Sequence, residues 1–90
     1  MSKASLDRAE GTRVSLKVND NDNVATLLDD DVKCCRIVGG MAIAENIPFG
    51  HKVALADISE GGEVIKYGIV IGHAKSAIAK GEHVHVHNIA

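Results

Sequence analysis

KVALADISEGGEVIKYGIVIGHA, residues 52 to 74, sets the rhythm of this chain. KVALADI reads as an extended run to Ile58, Glu60-Gly61-Gly62 as a tight turn, and VIKYGIVIGHA as two short strands around Gly68. The same rhythm continues outward. Upstream, Val14, Leu16 and Val18 alternate with Ser15 and Lys17, the period of a half-buried strand. NDNDN (Asn19 to Asn23) is a turn, because its amides and carboxylates bond their own backbone. Asp20 and Asp22 have the spacing of a calcium loop, but Val24 fills the third ligand position, and the glycine and closing glutamate are missing. VATLL (residues 24–28) is a second strand, followed by the acidic turn Asp29-Asp30-Asp31. VKCCRIV (residues 32–38) is a third, ended by Gly39-Gly40, and Met41 to Ala44 add a short one. Pro48 and Gly50 break the pattern before His51. Downstream, AKSAIAK (residues 74–80) is expected to form a helical turn or two, and HVHVHNI to be the final strand. No internal repeat and no linker stand out. The expected fold is mainly β, with many short strands and at most one short helix. It forms one domain over residues 13–90 behind a flexible segment, residues 1–12.

Composition narrows the function. The 90 residues are 46% hydrophobic and 24% charged, a globular balance. A formal net charge of −2 offers no basic footprint for nucleic acid. Phe49 and Tyr67 are the only aromatic residues, too few for a platform that stacks bases. Neither a signal-peptide core nor a bilayer-length apolar run is present, so no membrane role is expected and the cytoplasm is the expected compartment. Cys34 and Cys35 are adjacent and would point to opposite faces of a strand, which disfavours a bridge between them. One buried and one partly exposed thiol are expected.

The densest chemistry lies at the end, in GEHVHVHNIA (residues 81–90). On a strand, His83, His85 and His87 share one face, and Val84 and Val86 anchor the other in the core. Neighbouring histidines in an H-x-H step lie about 6.6 Å apart and both reach one metal ion. His83 and His87 stand about 13 Å apart on a flat strand, too far for a common ion. A pair completed by His51 or His73 is the sharper metal reading; an exposed or docking strand face is the plain alternative. His51 and Lys52 follow the Pro48–Gly50 corner, and read equally as an imidazole and an ammonium offered by a loop to an anion or as an ordinary polar strand start. Lys66 and Tyr67 before Gly68 read either as carboxylate binders or as part of an amphipathic strand. No phosphate-binding glycine loop and no nucleophile elbow are present.

NVAT (23–26), IPFGHKVAL with Asp57-Ile58 (47–58), VIKYG with IGHA (64–74) and GEHVHVHN (81–88) together resemble one family. It is the N-terminal domain or small subunit of the altronate/galactarate dehydratases, which also takes in sulfolactate dehydratases. The resemblance covers about residues 20 to 90. It implies an SAF-type β-clip fold and metal-dependent lyase chemistry on hydroxy acids, usually with ferrous iron. A base would remove the proton beside a carboxylate while a β-substituent leaves. It implies His51 and His85 as catalytic groups, Lys52, Lys66 and Tyr67 as substrate binders, and His83, His85 and His87 as metal ligands. It further implies a large catalytic subunit that shares the site and holds much of the metal, because family members continue into a larger catalytic region. The alternative is a free-standing SAF ligand-binding or interaction module, and exposed strand edges make a homodimer reasonable.

Overall fold

The computed structural model describes residues 11–37 and 39–90. It is built from six short strands, β1 (Ser15–Leu16), β2 (Val24–Leu27), β3 (Lys52–Ala54), β4 (Glu63–Lys66), β5 (Ile69–His73) and β6 (His83–Val84). One antiparallel sheet has the order β1-β2-β3-β6, and β4 and β5 form a second. The mainly β expectation holds, and among the described residues there is no helix. None is therefore long and apolar enough to cross a membrane.

Two apolar clusters lie on opposite faces of the four-stranded sheet, as the alternation of side chains along β2 and β3 requires. Ala25, Leu27 and Val53 pack with Ile37, Ile43 and Ile47. Val24, Ala54 and Val84 pack with Ile58, Val64, Ala74 and Ile78. Each fully buried Val, Leu or Ile contributes about 1.5–3 kcal/mol.

A recurrence that the letters hide governs the second cluster. Ala54, Ile58, Gly61 and Val64 are repeated 20 positions on by Ala74, Ile78, Gly81 and Val84. The backbone follows the same rule. Gly61 N–H donates to Ala74 O and Ala74 N–H to Gly62 O; Gly81 N–H donates to Ala54 O and Ala54 N–H to Glu82 O. Ile58 and Ile78 exchange both bonds at 2.8 Å, on the axis that relates the two units. The expectation of no internal repeat is thus corrected. It failed because only small and core positions recur, while the exposed positions differ.

The same pairing accounts for the missing helix at 74–80. Ile78 uses its N–H and C=O on Ile58, and the Ala74 and Lys75 N–H groups go to Gly62 and Asn88. Propensity yields to tertiary pairing. The third strand expected at 32–38 and the short one at 41–44 reduce to single bridges, Arg13 with Ile37 and Arg36 with Ala42. Val32, Cys35 and Ile37 do face one segment, with Asn46 N–H on Val32 O, Ile43 N–H on Cys35 O and Ile37 N–H on Met41 O, but the Val32 and Cys34 N–H groups turn back to Asp30 O and Asp31 O and interrupt the ladder. Val38 and residues 1–10 lie outside the described residues, so only Gly11 and Thr12 of the expected flexible segment are described, and Thr12 is buried. Neither thiol is buried: Cys34 is half-buried beside Gly11 O at 3.1 Å, and Cys35 is exposed.

Among the described residues, Arg13 is the largest fully buried side chain. Its guanidinium donates to Asp29 Oδ1 at 2.7 Å, to Asp29 O at 2.7 Å and to Ile47 O at 2.6 Å. A buried charge so completely bonded ties the start of the domain to two distant loops.

Candidate functional site

The corner Pro48–His51 closes with His51 N–H on Pro48 O at 3.1 Å, and Gly50 takes the positive φ of 84° that the turn needs. It delivers His51 to the head of β3. The antiparallel register Val53↔His83 and Lys52↔Val84 then sets His51 opposite His85, although 34 positions separate them. Their rings stack at 3.7 Å with 10° between planes. His83 lies diagonally across, its Nε2 2.9 Å from His51 Nδ1.

β6 ends at Val84, two residues into the expected strand. Asn88 stops it: His85 N–H donates to Asn88 Oδ1 at 2.9 Å, Asn88 N–H to His85 O at 3.0 Å and Asn88 Nδ2 to His83 O at 2.8 Å. The resulting turn throws Val86 into solvent, 71% exposed, where the alternating reading placed it in the core. It also brings the His87 ring back to 4.8 Å from that of His83. The flat-strand separation that set these two residues apart does not apply.

Four imidazoles, His51, His83, His85 and His87, are therefore gathered at one edge. His73 is not among them; it sits on β5 with its backbone paired to Ala90. Burial first, then neighbouring His87, His51, His85 and Lys52, hold the His83 pKa below the usual imidazole value. Burial, His51, Lys52 and His87 do the same to His85. Both rings are thereby favoured as neutral bases. A single proton bridges His51 and His83, and its side decides the chemistry of the outer nitrogen. With the proton on His51 Nδ1, His51 Nε2 is a free lone pair; with it on His83 Nε2, His51 Nε2 carries a proton to give.

A metal was expected on His83, His85 and His87, and these residues do not fit one as arranged. Among the described residues no three His, Cys, Asp or Glu side chains are grouped to hold an ion. His51 and His85 lie face to face, so their nitrogens point side by side rather than at a common centre. The 2.9 Å contact between His51 and His83 is already spent on a hydrogen bond. His85 Nδ1 is buried and has no hydrogen-bond partner.

Lys52, Lys66 and Tyr67, expected as binders, lie near one another, and only Lys52 of the three acts through its charge on His83 and His85. Lys52 alternates to the other face of β3. Burial, then the charge of Lys66, lowers its pKa from the usual ammonium value. Lys66 Nζ lies 4.9 Å from the centroid of the Tyr67 ring. Tyr67 and Gly68 form a two-residue hairpin tip with φ of 58° and 75°. Such a conformation suits Asn or Gly and strains Tyr.

NDNDN stabilises that tip, a role for which the sequence reading gave no sign beyond turn chemistry. The buried Asp22 carboxylate accepts N–H groups from Gly68 at 2.8 Å, Asn19 at 3.1 Å and Val18 at 3.3 Å. Burial acts to raise its pKa, but these bonds and one from Tyr67 outweigh it, and the net direction is down. Asn23 holds β4 by bonds to Glu63 O and Ile65 N, both at 2.8 Å. Asn88, Asp22 and Asn23 are the positioning residues that pattern reading passed over. The usable signal was that each is a short polar side chain flanking a strand end.

A shallow depression of about 400 Å³ lies elsewhere, lined by Asp57, Ile58, Ser59, Ala77, Ile78, Ala79 and Glu82. It sits where the two repeated units meet, and its carboxylates repel an acidic ligand. The imidazole edge, with its titratable groups and adjacent cations, is the better candidate.

Comparison with known proteins identifies a family. The family model described as altronate/galactarate dehydratase SAF domain matches residues 13–90. Galactarate dehydratase (L-threo-forming) of Escherichia coli (strain K12) is 43% identical over 83 residues, covering 90% of this chain and 16% of that protein. Altronate dehydratase of Bacillus subtilis (strain 168) is 41% identical over 76 residues, covering 81% of this chain and 15% of that protein. The (2R)-sulfolactate sulfo-lyase subunit alpha of Chromohalobacter salexigens is 49% identical over 47 residues, 52% of this chain and 50% of that subunit. The chain thus spans about a sixth of the dehydratases and half of the sulfo-lyase subunit.

Proposed function

The chain belongs to the altronate/galactarate dehydratase SAF-domain family, and from that premise we propose that it is the small subunit of a two-chain hydro-lyase. The substrate is a sugar acid of the altronate or galactarate type, or a related hydroxy acid such as sulfolactate. The relatives support a shared assembly: the matching region is one part of larger dehydratases, and the sulfo-lyase relative is named as a subunit.

The observation that carries the proposal is the His51–His83 contact at 2.9 Å under the stacked His85 ring. Elimination beside a carboxylate needs a neutral base within reach of the α-proton. His51 takes the proton, His83 holds its tautomer, and His85 fixes the ring plane. Lys52 and Lys66, with Tyr67 bracing Lys66, lie on the other face of β3 and bind an acid group remote from that proton. The divalent metal of this chemistry, ferrous iron, is assigned to the large subunit, since the four imidazoles do not surround a centre. The proposed compartment is the cytoplasm, in keeping with two adjacent unbridged thiols.

Co-purification from native extract, followed by assay with ferrous iron against sugar acids and sulfolactate, tests the reading. A stoichiometric large partner with lyase activity is expected. In the reconstituted complex, His51→Asn should lower kcat by about 10²- to 10⁴-fold without loss of assembly. Full activity in that variant would remove His51 as base. Recovery of the chain alone and inactive would leave a free-standing binding module.

A further inference from the structure

We propose that Thr26, Lys52 and Lys66 form an oxyanion subsite that takes the carboxylate or sulfonate group of a small acid, on the opposite face of β3 from the imidazoles. The register places Thr26 directly across from Lys52, with Leu16 and Val84 completing the row. Cross-strand neighbours of this kind have side chains within about 5.5 Å at Cβ. Thr26 Oγ1 is buried and has no hydrogen-bond partner. A hydroxyl shut away from water normally finds one, so an unfilled donor marks a place where a ligand atom belongs.

The two ammonium groups point to the same occupant. Lys52 and Lys66 are both half-buried, and Lys66 is close enough for its charge to act on Lys52. Among the described residues neither forms an ion pair with a carboxylate; the ion pair found is that of Arg13 with Asp29. Lys66 leans instead on the Tyr67 ring. Two like charges held side by side are unfavourable until an anion lies between them. A hydroxyl donor on β2, an ammonium on β3 and an ammonium on β4 triangulate a single oxyanion. Thr26 is the residue that this adds to the substrate binders, and its recessed hydroxyl selects a small head group over a partner's surface side chain.

The subsite deepens the proposed function and rests on it for the identity of the acid, but binding is testable without turnover. The full chain, labelled with ¹⁵N and with ¹³C at lysine Cε, is titrated with acetate, with methanesulfonate and with neutral acetamide. The two anions should give saturable shifts at Thr26, Lys52 and Lys66, and a raised Lys52 pKa; acetamide should give none. The stronger of the two anions tells a carboxylate site from a sulfonate site. Thr26→Val should weaken binding about tenfold, the worth of one hydrogen bond to a charged group, and Thr26→Ser should restore it. Lys52→Met should abolish the shifts, whereas Lys80→Met on the exposed surface should leave them intact. Shifts that do not saturate, or that survive both Thr26→Val and Lys52→Met, overturn the subsite. Lyase activity in a complex whose small chain shows no such binding rejects the subsite and spares the lyase reading. Saturable binding by a chain that assembles into no lyase does the reverse.

Discussion

In one unit of the repeat, Glu63 and Val64 pair with His73 and Gly72; in the other, His83 and Val84 pair with Val53 and Lys52. Each unit, residues 51–65 and 71–85, lends its second strand to the first strand of its twin. The core positions are interchangeable: Ala54 with Ala74, Ile58 with Ile78, Val64 with Val84. The exposed ones are not. His51 and His85, stacked in one pairing, have Ile71 and Ile65 as their counterparts in the other. Lys52 has Gly72. A register irregularity between Val64 and Ile65 lets β4 run on into a hairpin, whereas β6 stops at Val84 and folds into the Asn88 turn. The comparison teaches that stability is carried by what the units share and chemistry by where they differ.

The strongest way to break this comparison is to truncate the shared positions. Ile58→Ala and Ile78→Ala should each cost about 2–5 kcal/mol, similar to one another, measured by urea denaturation. A large inequality would mean that the repeat is one of shape and not of energy. Asn88→Ala tests a device that only one unit owns. It should cost about 1–3 kcal/mol through the unpaired His83 carbonyl and His85 amide, and weaken lyase activity of the complex by loosening His85 against His51. Unchanged activity would detach the turn from the site.

Acid sharpens the contrast, because depressed imidazoles occur in only one pairing. His83 and His85 have folded pKa values below the usual imidazole value. Their contribution is present above the unfolded pKa of about 6.5 and is lost as pH falls through the folded values. Urea midpoints should therefore drop between about pH 7.5 and pH 5, and the drop should flatten in the variant His83→Gln/His85→Gln. An equal drop in that variant would place the sensitivity elsewhere. The smallest effect is expected at Thr26. Its hydroxyl bonds to nothing in the chain, so Thr26→Val should change stability by less than about 1 kcal/mol, and a larger loss would reveal a hidden structural role.

The strands flanking tight turns were legible because turn chemistry marks their ends. β2, β4 and β5 begin and end close to where Asn, Asp and Gly say they should. β3 stops at Ala54, short of the expected Ile58, which keeps only a bridge to Ile78, and the run expected from Val14 to Val18 reduces to Ser15–Leu16 with Leu16 and Val18 exposed. HVHVH misled because strict alternation is the signature of a strand, while the residue that ends it, Asn88, acts from three positions downstream. AKSAIAK carries helix-forming letters, yet Ile78 is claimed by Ile58 across the repeat. For the site, the residues were legible and their arrangement was not. His51, Lys52, Lys66 and the final histidines could be picked out by type, but the stack of His51 on His85 depends on register. The hydroxyl of Thr26 matters only because nothing meets it, a fact no letter records.

The exchange of strands between the units has a consequence for how the chain comes apart. A cut between Tyr67 and Gly68 separates the two units covalently but severs none of the pairings of β3 with β6, nor those of Glu63 and Val64 with His73 and Gly72. Each half lacks the strand its own sheet needs, so neither should persist alone. Mixed together, the nicked halves should reassemble, and complementation of fragments becomes a direct reading of how tightly the twins embrace.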